Sequence, residues 1–341
     1  MKYIITGGLG FIGSHLSELL INKYFNNNSI NNYNDILIID NYYSGIIDNI
    51  NESIRNNIII VKDDIRNLEI SKYFDEGDIV IHLAAISSLP ECQSNPVMAY
   101  DVNVNGTLNI LEISRKKNVK KIIFASTSAV YENNINFPCK ENDIVNPSLI
   151  YSMSKYTCEN LCLSYVKNYN MNISIIRFFN VYGGNQDYRR ISPPLTIYIL
   201  NELSNNRQPI LHSNGEQKRD YVYIDDLMDL ILKVICNDDN NLSGKIFNAC
   251  TCELVSVNDI YNIFKKELNS NIIPIYRDAT CFWNKYDNII SGNNPINNYI
   301  IEDEVNKFTL GDNTFTKNEL NWIPKYKFIE GIQSIIKNKR R

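Results

Sequence analysis

The chain has 341 residues, enough for a large core arranged in two lobes. It is 44% hydrophobic and 21% charged, an ordinary balance for a globular protein in water. A net charge of -4, with no basic cluster outside Lys337, Lys339, Arg340 and Arg341, argues against a nucleic-acid partner. No apolar run is long enough to cross a membrane. The cysteines are scattered and no histidine cluster accompanies them, so neither a disulfide framework nor a metal centre is expected. They read as reduced thiols of a cytoplasmic protein. No signal peptide is expected, because the chain begins directly with a strand.

In chain order, Lys2–Thr6 is a short apolar run and a candidate buried strand. It meets the turn Gly7-Gly8-Leu9-Gly10-Phe11-Ile12-Gly13, and a helix is expected from Ser14 to about Tyr24. Strand, glycine turn and helix form the context that a dinucleotide site demands. One glycine makes the tight turn, one lets the backbone approach a pyrophosphate, and one lets helix pack on strand. The anion then sits at the helix N-terminus, where N–H groups and the dipole attract it. A second strand, Asp35–Asp40, ends on an acid suited to the adenosine ribose hydroxyls. Asp40 stands further from the glycines than the usual ~20 residues, and the polar stretch Asn26–Asn34 reads as a surface insertion between them. A carboxylate there repels a 2′-phosphate, and no arginine follows closely, which favours NAD over NADP.

A third strand, Ile58–Val61, runs into Asp63, Asp64, Ile65 and Arg66. A fourth, Asp78 to Ala85, ends on small residues that permit close approach of a ligand. A helix over about Pro96–Lys117 carries Asn103. A fifth strand, Lys121–Ser126, is followed by Thr127, Ser128 and Ala129. A sixth is Ile173–Gly183 with its loop. The segment from Gly184 to about Asp220 is looser, then Asp225–Cys236 reads as a helix and Lys245–Ala249 as a strand. From Val255 on, helices and short loops alternate. Strands alternating with helices imply a doubly wound parallel sheet, with ligands at the strands' carboxyl ends. Ser87, Ser88, Ser126 and Thr127 lie at such ends.

The stretch Tyr151-Ser-Met-Ser-Lys155 lies in a run, roughly Leu149–Tyr169, with apolar residues at helical spacing. Residues four apart share a helix face, so the Tyr151 hydroxyl and the Lys155 ammonium are expected to meet. A nearby lysine favours the phenolate and lowers the tyrosine pKa. Such a tyrosine can take the proton of an alcohol that is losing hydride.

Taken together, the segments Thr6–Gly13, His82–Ala85, Asn103–Thr107, Ser126–Tyr131, Tyr151 with Lys155, Arg177–Gly183, Arg219–Asp226 and Glu319–Trp322 resemble the extended short-chain dehydrogenase/reductase family. Within it, the likeness is to nucleotide-sugar epimerases and dehydratases, and it covers nearly the whole chain. The resemblance implies an α/β fold: a Rossmann-type NAD-binding domain over 1–183, with a return of about 220–250, and a smaller C-terminal α/β substrate domain over 184–341. It implies Tyr151 as base, Lys155 beneath it and Thr127 on the reacting sugar hydroxyl. The cofactor-binding set implied is Gly7, Gly10, Phe11, Ile12, Gly13, Asp40, Asn41, Asp64, Ile65, Leu83, Ala84, Ala85, Asn103, Ser126, Tyr151, Lys155 and Phe178. The substrate set is Ser87, Ser88, Thr127, Tyr151, Asn180, Leu195 and Arg219, with Ile191–Leu195 and residues near Leu211 at the base and a small residue near Thr309 at the sugar. A homodimer through the helices near 96–117 and 149–169 is also implied.

The resemblance further implies a 4-keto sugar left bound beside NADH. A 4,6-dehydratase of this family carries an Asp-Glu pair directly after the threonine; here those places hold Ser128 and Ala129. Return of the hydride after rotation of the sugar is the simplest outcome, as in UDP-glucose and UDP-N-acetylglucosamine 4-epimerases. A 4,6-dehydratase or related 4-keto-sugar enzyme is the alternative, and a non-catalytic NAD-binding protein is a second. The family's phosphate-gripping arginine near the C-terminus is missing: Glu302-Asp303-Glu304-Val305 stands in its place, with Lys307 and Arg277 as substitutes.

Overall fold

The computed structural model describes residues 1–25, 35–237, 240–286, 289 and 294–339. The expected insertion Asn26–Asn34 and the last two residues lie outside this set. The strands are β1 Tyr3–Thr6, β2 Ile36–Asp40, β3 Ile59–Lys62, β4 Ile79–His82, β5 Lys121–Thr127 and β6 Ile173–Phe178. They continue as β7 Asn180–Tyr182, β8 Ile210–His212, β9 Lys218–Tyr223, β10 Ile246–Ala249, β11 Leu254–Ser256 and β12 Ile275–Arg277. Seven of them form one parallel sheet in the order β10-β6-β5-β4-β1-β2-β3. Every residue of β1, β2, β4 and β6 is buried, as expected of parallel strands covered on both faces. The chain leaves β1 toward β2 on one side and takes up β4 on the other. The switch point therefore lies between β1 and β4, where open α/β sheets bind ligands.

The first helix is Phe11–Phe25, three residues earlier than the expected Ser14, so Gly13 lies inside its first turn. The expected 96–117 helix is composite. Leu89–Ser94 precedes it, capped by Ser88; Pro96–Tyr100 is capped by Asn95; a π-turn at Asp101–Asn105 then leads into Gly106–Lys116. The Tyr151 helix spans Ile150–Tyr169. The expected sixth strand divides. β6 stays in the main sheet, while β7 pairs with β9, which pairs with β11, in a separate three-stranded sheet. The segment read as loose contains the helix Leu195–Ser204 and β8, which pairs with β12. β10, from beyond residue 183, completes the edge of the main sheet.

Near the C-terminus, Trp322 is fully buried and its indole N–H donates to the Asp226 carbonyl at 3.0 Å. None of the eight cysteines is in a disulfide. No described helix is long and apolar enough to cross a membrane.

Candidate active site

A cleft of 530 Å³ opens at the carboxyl ends of the central strands. Gly7, Gly10, Phe11, Ile12, Gly13, Asp40, Asn41 and Ile65 line one end. Leu83, Ala84, Ala85, Ser126, Phe178, Tyr151 and Lys155 line its middle, and Ser87, Thr127, Asn180 and Leu195 its other end.

The glycine cradle is forced by space. Gly7 has φ +70°, and a Cβ there would lie 2.8 Å from the Ala84 nitrogen across the switch point. A Cβ on Gly13 would lie 2.5 Å from the Gly7 oxygen. The backbone of this turn is thus left bare to an anion at the N-terminus of the Phe11–Phe25 helix. Asp40 is buried, and its carboxylate accepts from the backbone N–H of Leu9 at 3.0 Å and of Tyr42 at 2.8 Å. Burial pushes its pKa up, and these two bonds pull it back. A carboxylate has about four acceptor positions, so two bonds leave it able to take ribose hydroxyls. Cradle, helix end and carboxylate together fit NAD.

Arg66 also lines this end, although no arginine stands close after Asp40 in sequence. It donates to Asp64 through Nε and Nη2, each at 2.8 Å, and to Asp101 at 2.6 Å. A guanidinium so engaged is no free partner for a 2′-phosphate. Asp64, expected to hold the cofactor, does not line the cleft. The pairing with Arg66 holds its carboxyl well below the usual range.

The start of the Ile150–Tyr169 helix is fixed by Glu132, whose carboxylate takes the Leu149 N–H and the Ser148 hydroxyl, each at 2.8 Å, and the Ser152 hydroxyl at 2.6 Å. A negative charge there satisfies free N–H groups and complements the helix dipole. Tyr151 is buried, with the Thr127 hydroxyl beside it. Its pKa is pushed up by burial, against which the Thr127 hydroxyl works. Lys155 does not meet Tyr151 in the way the helical spacing suggests. Its ammonium donates to the Ala125 carbonyl at 2.7 Å and lies 4.7 Å from the centre of the Phe124 ring. Burial lowers its own pKa.

One helical turn on from Lys155, Glu159 anchors the whole arrangement. Its Oε1 accepts from Ser126 at 2.5 Å and from Arg177 Nε at 2.9 Å, and its Oε2 accepts from Arg177 Nη2 at 2.8 Å. Arg177 Nη1 donates in turn to the Tyr131 hydroxyl at 2.7 Å. Sequence reasoning missed Glu159, although its spacing from Tyr151 and Lys155 puts it on their face.

Three other expected site residues are engaged elsewhere. Asn103 is buried, accepting from the Ile86 N–H at 2.8 Å and donating to the Ile86 carbonyl and the Ser154 hydroxyl, each at 3.0 Å. Ser88 caps the Leu89–Ser94 helix. Arg219 donates to the carbonyls of Glu304 at 2.7 Å and Val305 at 3.2 Å, and to that of Lys307. These are end carbonyls of the helix Asn298–Asn306, which attract a cation. None of the three lines the cleft. The segment expected to carry a phosphate arginine thus supplies carbonyls that occupy a different one. Of the suggested substitutes, Lys307 pairs with Glu304 and Arg277 is exposed on β12. Leu211 and Thr309 are buried away from the cleft, and Ile191 is exposed. Pro194 and Thr196 flank Leu195 in its wall, and Arg190 reaches it from the loop before them.

Residues 4–335 match the family model described as GDP-mannose 4,6 dehydratase. A putative UDP-glucose 4-epimerase of Methanocaldococcus jannaschii is 36% identical over 80% of this chain and 84% of its own. A dTDP-D-glucose 4,6-dehydratase of Dictyostelium discoideum is 32% identical over 80% of this chain and 62% of its own. Among solved structures, a UDP-N-acetylglucosamine 4-epimerase from Methanobrevibacter ruminantium, in complex with UDP-N-acetylmuramic acid, superposes with a TM-score of 0.83. It is 27% identical and covers 98% of this chain and 97% of its own. With the cleft at the switch point and Tyr151 and Thr127 at its floor, these matches place the chain in the nucleotide-sugar epimerase and dehydratase family of the short-chain dehydrogenases/reductases.

Proposed function

We propose that the protein is an NAD-dependent 4-epimerase of a UDP-linked hexose or N-acetylhexosamine. NAD, when bound, supplies the hydride acceptor and a positive ring beside Tyr151. The Tyr151 oxygen takes the proton of the sugar C4 hydroxyl while Thr127 orients that hydroxyl. Lys155, fixed by Ala125, holds the floor of the cleft against the cofactor ribose. The same groups return the proton when hydride comes back to C4 on the opposite face of a rotated 4-keto sugar. Burial by itself raises the Tyr151 pKa, so the positive charges of the bound NAD ring and of Lys155 would be what favours the phenolate that takes this proton.

The observation that carries this reading is the turn after Thr127. Thr127 caps a short helical turn, Ser128–Tyr131, through the Ala129 N–H at 3.1 Å. Neither Ser128 nor Ala129 can expel a C6 hydroxyl or remove a C5 proton. Among the described residues the carboxylates lining the cleft are Asp40, Asp63 and Asp187. The first two belong to the adenosine end, and Asp187 is bound to Arg189 at 2.8 Å. A 4,6-dehydratase would therefore lack its second acid–base pair.

Incubation with UDP-glucose, UDP-N-acetylglucosamine, UDP-glucuronate and dTDP-glucose, with products read by NMR, tests the assignment. Tyr151→Phe should lower kcat by ~10²–10⁴-fold, the usual worth of a positioned acid–base group, with NAD affinity retained. Unchanged turnover would remove Tyr151 from the mechanism. Turnover by neither protein would favour the non-catalytic reading.

The same reading includes a cytoplasmic homodimer. Val97, Leu108 and Tyr169, on the helices expected to pair, are exposed apolar residues. Sedimentation velocity should give twice the 39.4 kDa chain mass; a monomer at micromolar concentration would exclude the dimer.

A further inference from the structure

Among the described residues lining the cleft, three carry a fixed or titratable positive charge: Arg66, Lys155 and Arg190. Arg66 is taken by two aspartates, and Lys155 is buried on the Ala125 carbonyl. Arg219, an expected substrate ligand, is spent on helix-end carbonyls. Arg190 is differently placed. Its Nη2 lies 3.3 Å from Glu91 Oε2, a long, single-contact ion pair between side chains 24% and 23% exposed. The other Glu91 oxygen accepts from the Tyr43 hydroxyl at 2.6 Å. Tyr43, Glu91 and Arg190 thus form a chain from the loop after β2 to the loop before the Leu195–Ser204 helix.

We propose that Arg190 is the substrate-selecting cation of the cleft, resting on Glu91 and passing to anionic oxygens of the sugar nucleotide when it binds. This rests on the nucleotide-sugar reading above. A guanidinium has five N–H donors in a planar fork that matches phosphate and carboxylate oxygens two at a time. A partly exposed ion pair with one 3.3 Å contact is a weak hold, whereas a bidentate charge-assisted pair in a closed cleft is a strong one. Arg190 lines the cleft together with Pro194, Leu195 and Thr196, which follow it in the chain, and its charge is felt by both Tyr151 and Tyr43. The anionic oxygens have two sources: the diphosphate common to all nucleotide sugars, or a carboxylate on an acidic sugar.

Calorimetric titration of the NAD-loaded protein with UDP-glucose and UDP-glucuronate separates these sources and tests the exchange. Arg190→Ala should weaken binding by about 10- to 100-fold, the range of a lost charge-assisted contact. Equal losses for both ligands identify the diphosphate; a loss confined to UDP-glucuronate identifies the carboxylate. Glu91→Gln should instead tighten binding several-fold, because Arg190 no longer has to leave a carboxylate. A purely structural pair predicts the opposite pattern, with both variants weakened in parallel and both unfolding at lower temperature. That pattern, or wild-type affinity in Arg190→Ala, overturns the proposal. Should Arg190→Ala not fold, Arg190→Lys, which keeps the charge and loses the fork, should show a smaller loss in the same direction, while wild-type affinity would overturn the proposal. Failure of the unaltered protein to bind either ligand, UDP-N-acetylglucosamine or dTDP-glucose would bring down the nucleotide-sugar reading as well; binding that is indifferent to residue 190 brings down only the exchange.

Discussion

The two largest influences on Tyr151 are opposed, burial raising its pKa and the Thr127 hydroxyl lowering it. Thr127→Val removes the second and leaves the first. The tyrosine limb of the kcat/KM profile should then move to higher pH, and a pH series on the two proteins reads it directly. A shift to lower pH, or none, would mean that Thr127 does not bond the phenolate. The motif residues Tyr151, Lys155 and Thr127 were legible because helix spacing and strand ends fix where they point. The lysine's partner was not legible. Spacing puts two residues on one face, but the ammonium donates to a β5 carbonyl, that of Ala125. The two arginines repeat the lesson. Arg219 sits in a recognisable segment yet is drawn to helix-end carbonyls, while Arg190 sits in a segment without pattern and reaches the cleft.

At the scale of elements, β4 carries a pH dependence of its own. His82 at its end is fully buried between the hydroxyls of Thr6 at 2.7 Å and Thr107 at 2.9 Å. Burial, and then the Lys155 charge, push its pKa down from 6.5 to about 3. The unfolded chain binds a proton at this site below pH 6.5 that the folded chain refuses until about pH 3. His82 therefore takes away stability as pH falls through that window, and contributes no slope above it. His82→Gln should flatten the fall in urea midpoint between pH 6.5 and pH 4 relative to the unaltered protein; an equal slope in both would contradict the assignment. The strands of the main sheet were read from apolar runs with short margins of error, whereas β8, β9, β11 and β12 were not read as strands. The break between β6 and β7 was not, because it is set by pairing of β7 with β9, some forty residues away, and no local pattern encodes that. The π-turn at Asp101–Asn105 likewise sits inside a run with continuous helical patterning.

Over the whole molecule, one sheet and its switch point bring together residues from Gly7 to Leu195. The order of segments along the chain was enough to anticipate this, since alternating strands and helices admit few arrangements. The glycine cradle, Asp40 and the small residues after β4 line the same cleft as Thr127, Tyr151 and Arg190. The central claim is that hydride leaves C4 of a UDP-sugar and returns to C4. The most direct test is incubation of the purified protein with UDP-glucose deuterated at C4, followed by NMR of the product. The expected product is UDP-galactose with deuterium still at C4. A 4-keto-6-deoxy sugar carrying the deuterium at C6 would contradict it.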